Sequence, residues 1–333
     1  MSKIKQIRPL GFQWETLDPF LFCVHHEDQF PRGNDELGPA ASLAGRNIGQ
    51  DFVIKDGWRM YHGEKVPGFP GHPHRGFETI TVVREGLVDH ADSAGGKGRY
   101  GNGDVQWMTA GKGLLHSEMF PLLNEEAENP LELFQIWLNL PKKNKLVEPE
   151  YKMFWNEEIP SFEAETGVNI EVLAGELLGR KSPTPPVNSW AADAGNFVGV
   201  YNIQMQANAT FLMPKTAEGI NRTLYFFKGN QLNLEGQLIP NYHAIDVVSD
   251  EDLILKSGDE NIKILVLQGR PINEPVVQHG PFVMNTREEI VEAFNEYQQT
   301  QFGGWPFERY DKVHDRNLGR FASYTDGREE VKD

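Results

Sequence analysis

Two short motifs constrain the fold more than anything else in the chain. They are His72/His74 in FPGHPHRGFETITVV and His116/Glu118 in GDVQWMTAGKGLLHSEMF. Each has the form ligand-x-ligand. On a β-strand, side chains two residues apart leave the same face. Each motif therefore serves a common site only if its segment is extended. Two neighbouring strands can then aim four donors at one point. Three imidazoles and one carboxylate form a donor set for a first-row divalent metal.

The surrounding sequence supports an all-β setting. Strand-like runs recur as FLFCVHH, GWRMYHGEKV, GFETITVVREG, LVDHADS, GDVQWMTAG, LLHSEM and LELFQIWLNLP, punctuated by glycine pairs or Gly-x-Gly. The 33 glycines and 21 prolines in 333 residues make turns frequent, and such spacing suits an antiparallel barrel or sandwich. A second series runs from VNIEVLAGEL through RTLYFFKGNQL to IKILVLQG, after a Pro- and charge-rich stretch between 141 and 160. The length suits about two domains. Setting Gly86 against Gly229 aligns FETITVVREGL with INRTLYFFKGN and places His72 and His74 opposite Lys215 and Ala217. In that register the second copy lacks the first ligand pair. The expected organisation is a metal-binding domain over 1–160, a ligand-poor domain over 161–285, and a C-terminal helix and extension over 286–333. The helix is read from TREEIVEAFNEYQQTQ. Thr286 and Glu289 have capping-box spacing, and Ile290, Phe294 and Tyr297 form one apolar stripe.

Composition excludes several classes. The formal net charge is −16, and no Lys/Arg cluster offers the phosphate contacts that nucleic-acid binding relies on. Direct nucleic-acid binding is not expected. The longest apolar runs are too short to span a bilayer, and the N-terminal segment has no apolar signal-peptide region. The expectation is a soluble cytoplasmic protein without membrane contact. Cys23 is the single cysteine, so neither an intrachain disulfide nor a thiolate metal site is available. In an apolar run it reads as buried packing.

Several residues frame the candidate site. Pro73 removes a backbone donor between two ligands, which fits an edge or irregular strand. Gly111 and Gly113 imply a tight turn that delivers His116 inward. Phe77, Trp107, Met108, Phe120 and Phe134 offer an apolar lining, though each is equally at home as barrel core. Arg75 and Glu78 flank the ligand strand and read as ion-pair or hydrogen-bonding groups. His62 reads as rim or supporting shell and His90 as a surface or turn residue. His25 and His26, being adjacent, face opposite sides; His243, His279 and His314 are isolated. From residue types alone the site fits either a closed tetrahedral zinc or an open Fe(II)-type centre. An open position would admit water, substrate or O₂.

GHPHRGFETIT, DHADSAGGKG, GDVQWMTAGKGLLHSEM and GPFVMNTREEI closely resemble the pirin family, most densely from about 68 to 140 and again near 280. The resemblance implies a mostly-β bicupin. It would have two jelly-roll-like antiparallel β-barrel domains, with one metal ion, usually iron, in the N-terminal one. The family's ligand pattern falls on His72, His74, His116 and Glu118. Two kinds of function are implied. One is quercetin 2,3-dioxygenase-like cleavage of a flavonol or similar aromatic by O₂. In it Glu118 would be both ligand and general base, and the metal would be Fe(II) or another first-row ion. The alternative is a redox-sensing iron protein that regulates a transcription factor or metabolic enzyme by binding it. A weaker third reading is a metal-dependent isomerase or hydrolase. The stretch from FGGWPFERY to GRFASYTDGREE is longer than in shorter pirins.

Overall fold

The computed structural model describes residues 2–332 and divides the chain into two compact units. The first comprises His25–Ile136, Lys142–Asn156 and Glu274–Asp333; the second comprises Met1–Val24, Trp137–Pro141 and Glu157–Asn273. Neither is contiguous, whereas the sequence reading runs its domains end to end. Pairing across long sequence separations is the reason: Ile4–Pro9 joins a strand of the second unit at His243–Val247. Local patterning carries no sign of such a partner.

The first unit is built on two antiparallel sheets. The strands that lie in it wholly or in part are β1 (Phe20–Phe30), β2 (Gly68–His74), β3 (Phe77–Glu85), β4 (Leu87–Asp92), β5 (Lys97–Gly101), β6 (Val105–Thr109), β7 (Leu114–Met119), β8 (Asn129–Asn139) and β9 (Glu150–Phe154). One sheet runs β9-β6-β3-β8-β1, and the other contains β5-β4-β7-β2. They share one apolar core. Val83, Met108 and Leu133 come from the first sheet, and Val88, Tyr100 and Leu114 from the second. Each such burial is worth about 1.5–3 kcal/mol. The ladders remain paired sheets and do not close into a continuous barrel. β2 lies at an edge of its sheet, where Pro73 leaves no internal ladder bond unmade.

The second unit repeats the plan. Its large sheet contains β10 (Val168–Ala174), β11 (Gly199–Met205), β12 (Asn221–Lys228), β13 (His243–Val247) and β14 (Ile262–Gly269), in the order β13-β12-β14-β11-β10. Ile170, Ile203, Leu224, Ile245 and Ile264 point from it into a core completed by Phe211, Leu232 and Leu255 of a four-stranded sheet. Cys23 is buried and free, as expected.

The C-terminal segment belongs to the first unit. α1 (Arg287–Thr300) begins on Thr286, whose side chain accepts from the Glu289 amide while Glu289 bonds back, so the capping box is complete. Ile290, Phe294 and Tyr297 pack on Phe282 and Met284. Beyond the helix, β15 (Phe321–Ser323) pairs with β5, and β16 (Glu329–Val331) pairs with β15, widening the ligand-bearing sheet. The buried Arg99 holds this addition in place. It pairs with Asp89 at 2.7 Å and donates to the carbonyls of Leu318 (2.7 Å) and Asp315 (3.0 Å). The Gly71 amide, one residue before His72, donates to the Tyr310 carbonyl at 2.8 Å, which covers part of the β2 edge. The extension thus packs against the strand that carries the first ligand pair. No helix among the described residues is long and apolar enough to cross a membrane.

The turn before His116 also depends on this segment. Gly113 has φ +124°, and a Cβ there would lie 2.7 Å from the Phe302 ring. Gly113→Ala is expected to destabilise the protein by about 1–3 kcal/mol through strain and overpacking. It should appear as a lower urea midpoint at unchanged m-value; an unshifted midpoint would mean that the turn relaxes freely.

Candidate metal centre

Strand β7 sits between β2 and β4, and its register assembles the site. On one side His72 opposes His116 and Phe69 opposes Glu118, with a bulge between Phe69 and His72. On the other, His90 opposes Glu118 and Asp92 opposes His116. Directly opposed residues share a face, so one surface carries His72, His74, His116, Glu118, His90 and Asp92.

The three imidazoles converge. One ring nitrogen from each of His72, His74 and His116 lies within 4.8 Å of the others, a spacing that could hold a metal ion. His72 Nδ1 donates to the Pro70 carbonyl at 2.9 Å, which leaves its Nε2 as a lone pair 3.1 Å from His74 Nε2. Two donors on one cation with bonds of about 2.0–2.1 Å at right angles would be about 3 Å apart. Neither ring nitrogen of His116 makes a hydrogen bond, although the side chain is fully buried. A buried polar atom without a partner is costly, and ligation is the chemistry that removes that cost. The residues present therefore fit a first-row divalent metal.

Burial keeps all three rings neutral, the form that ligates. It pushes His72 down to about 4 and His74 and His116 well below their usual range, with the neighbouring histidines adding to the shift for all three. A proton on His72 therefore favours the unfolded chain. The stability of metal-free protein should be full above the ordinary value of 6.5 and decline as pH falls toward about 4. Urea midpoints against pH test this, with His72→Gln removing that part of the decline. An identical pH profile in the variant would contradict the assignment.

Glu118 stands beside the triad and outside the mutually close set. Its Oε2 is 3.9 Å from His116 Nε2. Its oxygens are held from three other strands. Thr81 of β3 donates to Oε1 at 2.8 Å, Gln135 of β8 to Oε2 at 2.8 Å, and Tyr100 of β5 to Oε1 at 3.4 Å. Burial raises its pKa, opposed by these hydrogen bonds and by His90. The Thr81 hydroxyl also lies 2.5 Å from Gln135 Oε1. One hydroxyl proton cannot serve both acceptors, and a proton on Glu118 would complete the chain Glu118 to Thr81 to Gln135.

His90 differs from the surface or turn residue expected. It is fully buried, its Nε2 lies 2.9 Å from Asp92 Oδ2, and its ring is 5.6 Å from that of His116. The strand register places it there, and only the alternation in LVDHAD hinted at it. Thr81, Tyr100 and Gln135 were also missed. Each lies on a strand distant in sequence from Glu118 and carries no local motif.

The other candidates separate cleanly. Phe77 lies 5.0 Å from His74, and Phe69 lies 6.4 Å from His72, ring to ring. Met108 and Phe120 belong to the core cluster. Phe134 stacks on His25, and Trp107 packs on Phe154. Arg75 pairs with Glu296 at 2.6 Å, and Glu78 accepts from Thr109 at 2.7 Å. His62 is exposed, with Nδ1 donating to Gly49, and His314 Nε2 donates to the His90 carbonyl.

Comparison with known proteins follows the same lines. Family models described as Pirin and as the Pirin C-terminal cupin domain match residues 3–138 and 200–303. A Pseudomonas aeruginosa protein provisionally named as a quercetin 2,3-dioxygenase is 37% identical over 235 residues, spanning 70% of this chain and 79% of its own. Human pirin is 34% identical over 258 residues, spanning 75% and 81%. The crystal structure of a quercetin 2,3-dioxygenase from Acinetobacter baumannii superposes with a TM-score of 0.71 at 26% identity, covering 91% of this chain and 96% of that one. The mostly-β bicupin architecture with one C-terminal helix is thus the family's.

Proposed function

We propose that the chain, which belongs to the pirin family, is a metal-dependent cupin oxidoreductase that opens a flavonol or similar aromatic with O₂. The observation that carries this reading is the convergence of three neutral imidazoles, two buried and one half-buried, in a chain that resembles a quercetin 2,3-dioxygenase in fold. His72, His74 and His116 would hold the metal, with Glu118 as fourth ligand. When bound, a redox-capable first-row ion such as Fe(II) supplies a Lewis-acidic seat for an anionic oxygen and an electron path to O₂.

The protein's own part is positioning and proton transfer. Glu118 would accept the proton of the substrate hydroxyl. Burial raises the pKa of its carboxyl, the direction that favours taking up a proton. Thr81, Gln135 and Tyr100 hold it in place and would carry its charge until the proton arrives. Phe69, half-buried beside His72, offers a flat apolar contact for an aromatic ring.

The test is O₂ uptake with quercetin after anaerobic Fe(II) loading. Uptake with stoichiometric CO release, dependent on metal, is expected. Iron-loaded protein that consumes no O₂ with quercetin or related flavonols would overturn the dioxygenase reading.

A further inference from the structure

The second unit contains a cavity of about 530 Å³ that nothing above uses. Its lining includes Tyr201, Arg222, Gln268, Lys181, Lys215 and Thr216. Arg222 is on β12, on the same face as the core residues Leu224 and Phe226, so it points into the unit's interior. It is only 1% exposed. Its Nε donates to Gln268 Oε1 at 2.9 Å and its Nη1 to the Pro214 carbonyl at 3.0 Å. Among the described residues Nη2 makes no hydrogen bond and no carboxylate forms an ion pair with this guanidinium. Gln268, the cross-strand partner of Arg222, is itself held by Tyr201. Its Nε2 donates to the Tyr201 hydroxyl at 3.3 Å, and that hydroxyl donates to the Glu176 carbonyl at 2.8 Å.

This guanidinium is fixed and desolvated without an ion-pair partner, and Asp252 acts on it only through space. Burial lowers its pKa to about 10, so it stays cationic at neutral pH. Two further cations, Lys181 and Lys215, reach the same cavity. Two acids, Glu176 and Asp193, also line it, but an Asp193 oxygen already accepts the Gly195 amide at 2.8 Å. Lys215 is also the residue that the Gly86/Gly229 register sets opposite His72. Where the first unit gathers neutral imidazoles for a cation, the second sets three cations and two carboxylates around a hydrogen-bonding frame.

We propose that this cavity binds the carboxylate or phosphate group of a small organic anion. The Arg222 guanidinium would be the principal contact, with Lys181 and Lys215 at the rim. A planar guanidinium fits either oxyanion bidentately. The site is independent of the metal centre and of the oxidoreductase reading.

Titration calorimetry on the full chain, with succinate and with inorganic phosphate as probes, tests it. Glucose serves as the uncharged control. At least one anion should bind, and which one does identifies the headgroup. Arg222→Gln should weaken that binding about tenfold or more. Because this variant alters a buried side chain, Lys181→Glu at an exposed position provides a second arm and should also weaken binding. His74→Ala should leave it unchanged. Failure of both anions to bind, or equal binding to the wild type, Arg222→Gln and Lys181→Glu, would overturn the proposal.

Discussion

His116→Ala is expected to leave a folded protein that no longer retains metal and no longer consumes O₂ with quercetin. His116 is fully buried, and neither of its ring nitrogens makes a hydrogen bond. Its removal from metal-free protein therefore sacrifices packing and no hydrogen bond. In the presence of metal the loss is of another order. Removing a residue that merely supports a ligand lowers metal affinity by about 10–100-fold, and removing a ligand should exceed that. Two readouts separate the cases. Metal content after dialysis should fall to background. The rise in Tm that saturating metal gives the wild type, about 2.7 kcal/mol of stabilisation at a hundred times Kd, should vanish. A variant that keeps both the metal and the thermal shift would show that His116 is only a core residue.

Glu118→Gln should separate ligation from proton transfer. The amide keeps the shape and can still accept from Thr81, but it cannot take a proton at neutral pH. General-base contributions are typically 10²–10⁴-fold, so kcat should drop by about that range with metal still measurable in the protein. Gln135 Nε2 would then face the new amide, and Thr81→Val, measured beside this variant, shows whether the hydroxyl positions the carboxylate. Full turnover in metal-loaded Glu118→Gln would remove the base role; loss of metal without any separate rate effect would leave Glu118 a ligand alone.

How far the sequence reached depended on whether the information was local. That His72, His74, His116 and Glu118 would share one face was legible because alternation along a strand is a property of neighbouring residues. Pro73 told of an edge, and Gly113 told of a turn, for the same reason. The helix was legible from its capping box and its stripe. His90 was not, because its place opposite Glu118 follows from the register of β4 on β7. The grip of Thr81, Tyr100 and Gln135 on Glu118 likewise depends on which strands become neighbours. The same limit hid the pairing of Ile4–Pro9 with β13 and of β15 with β5. That Arg222 points inward likewise follows only from the core residues that share its face.

The central claim is that His72, His74 and His116, with Glu118, hold one metal ion. Anomalous diffraction at the iron edge from crystals loaded anaerobically with Fe(II) tests it most directly. The account expects a single strong peak bonded to one nitrogen of each imidazole and to a Glu118 oxygen. A peak elsewhere, or none in protein that is shown to contain iron, would contradict it.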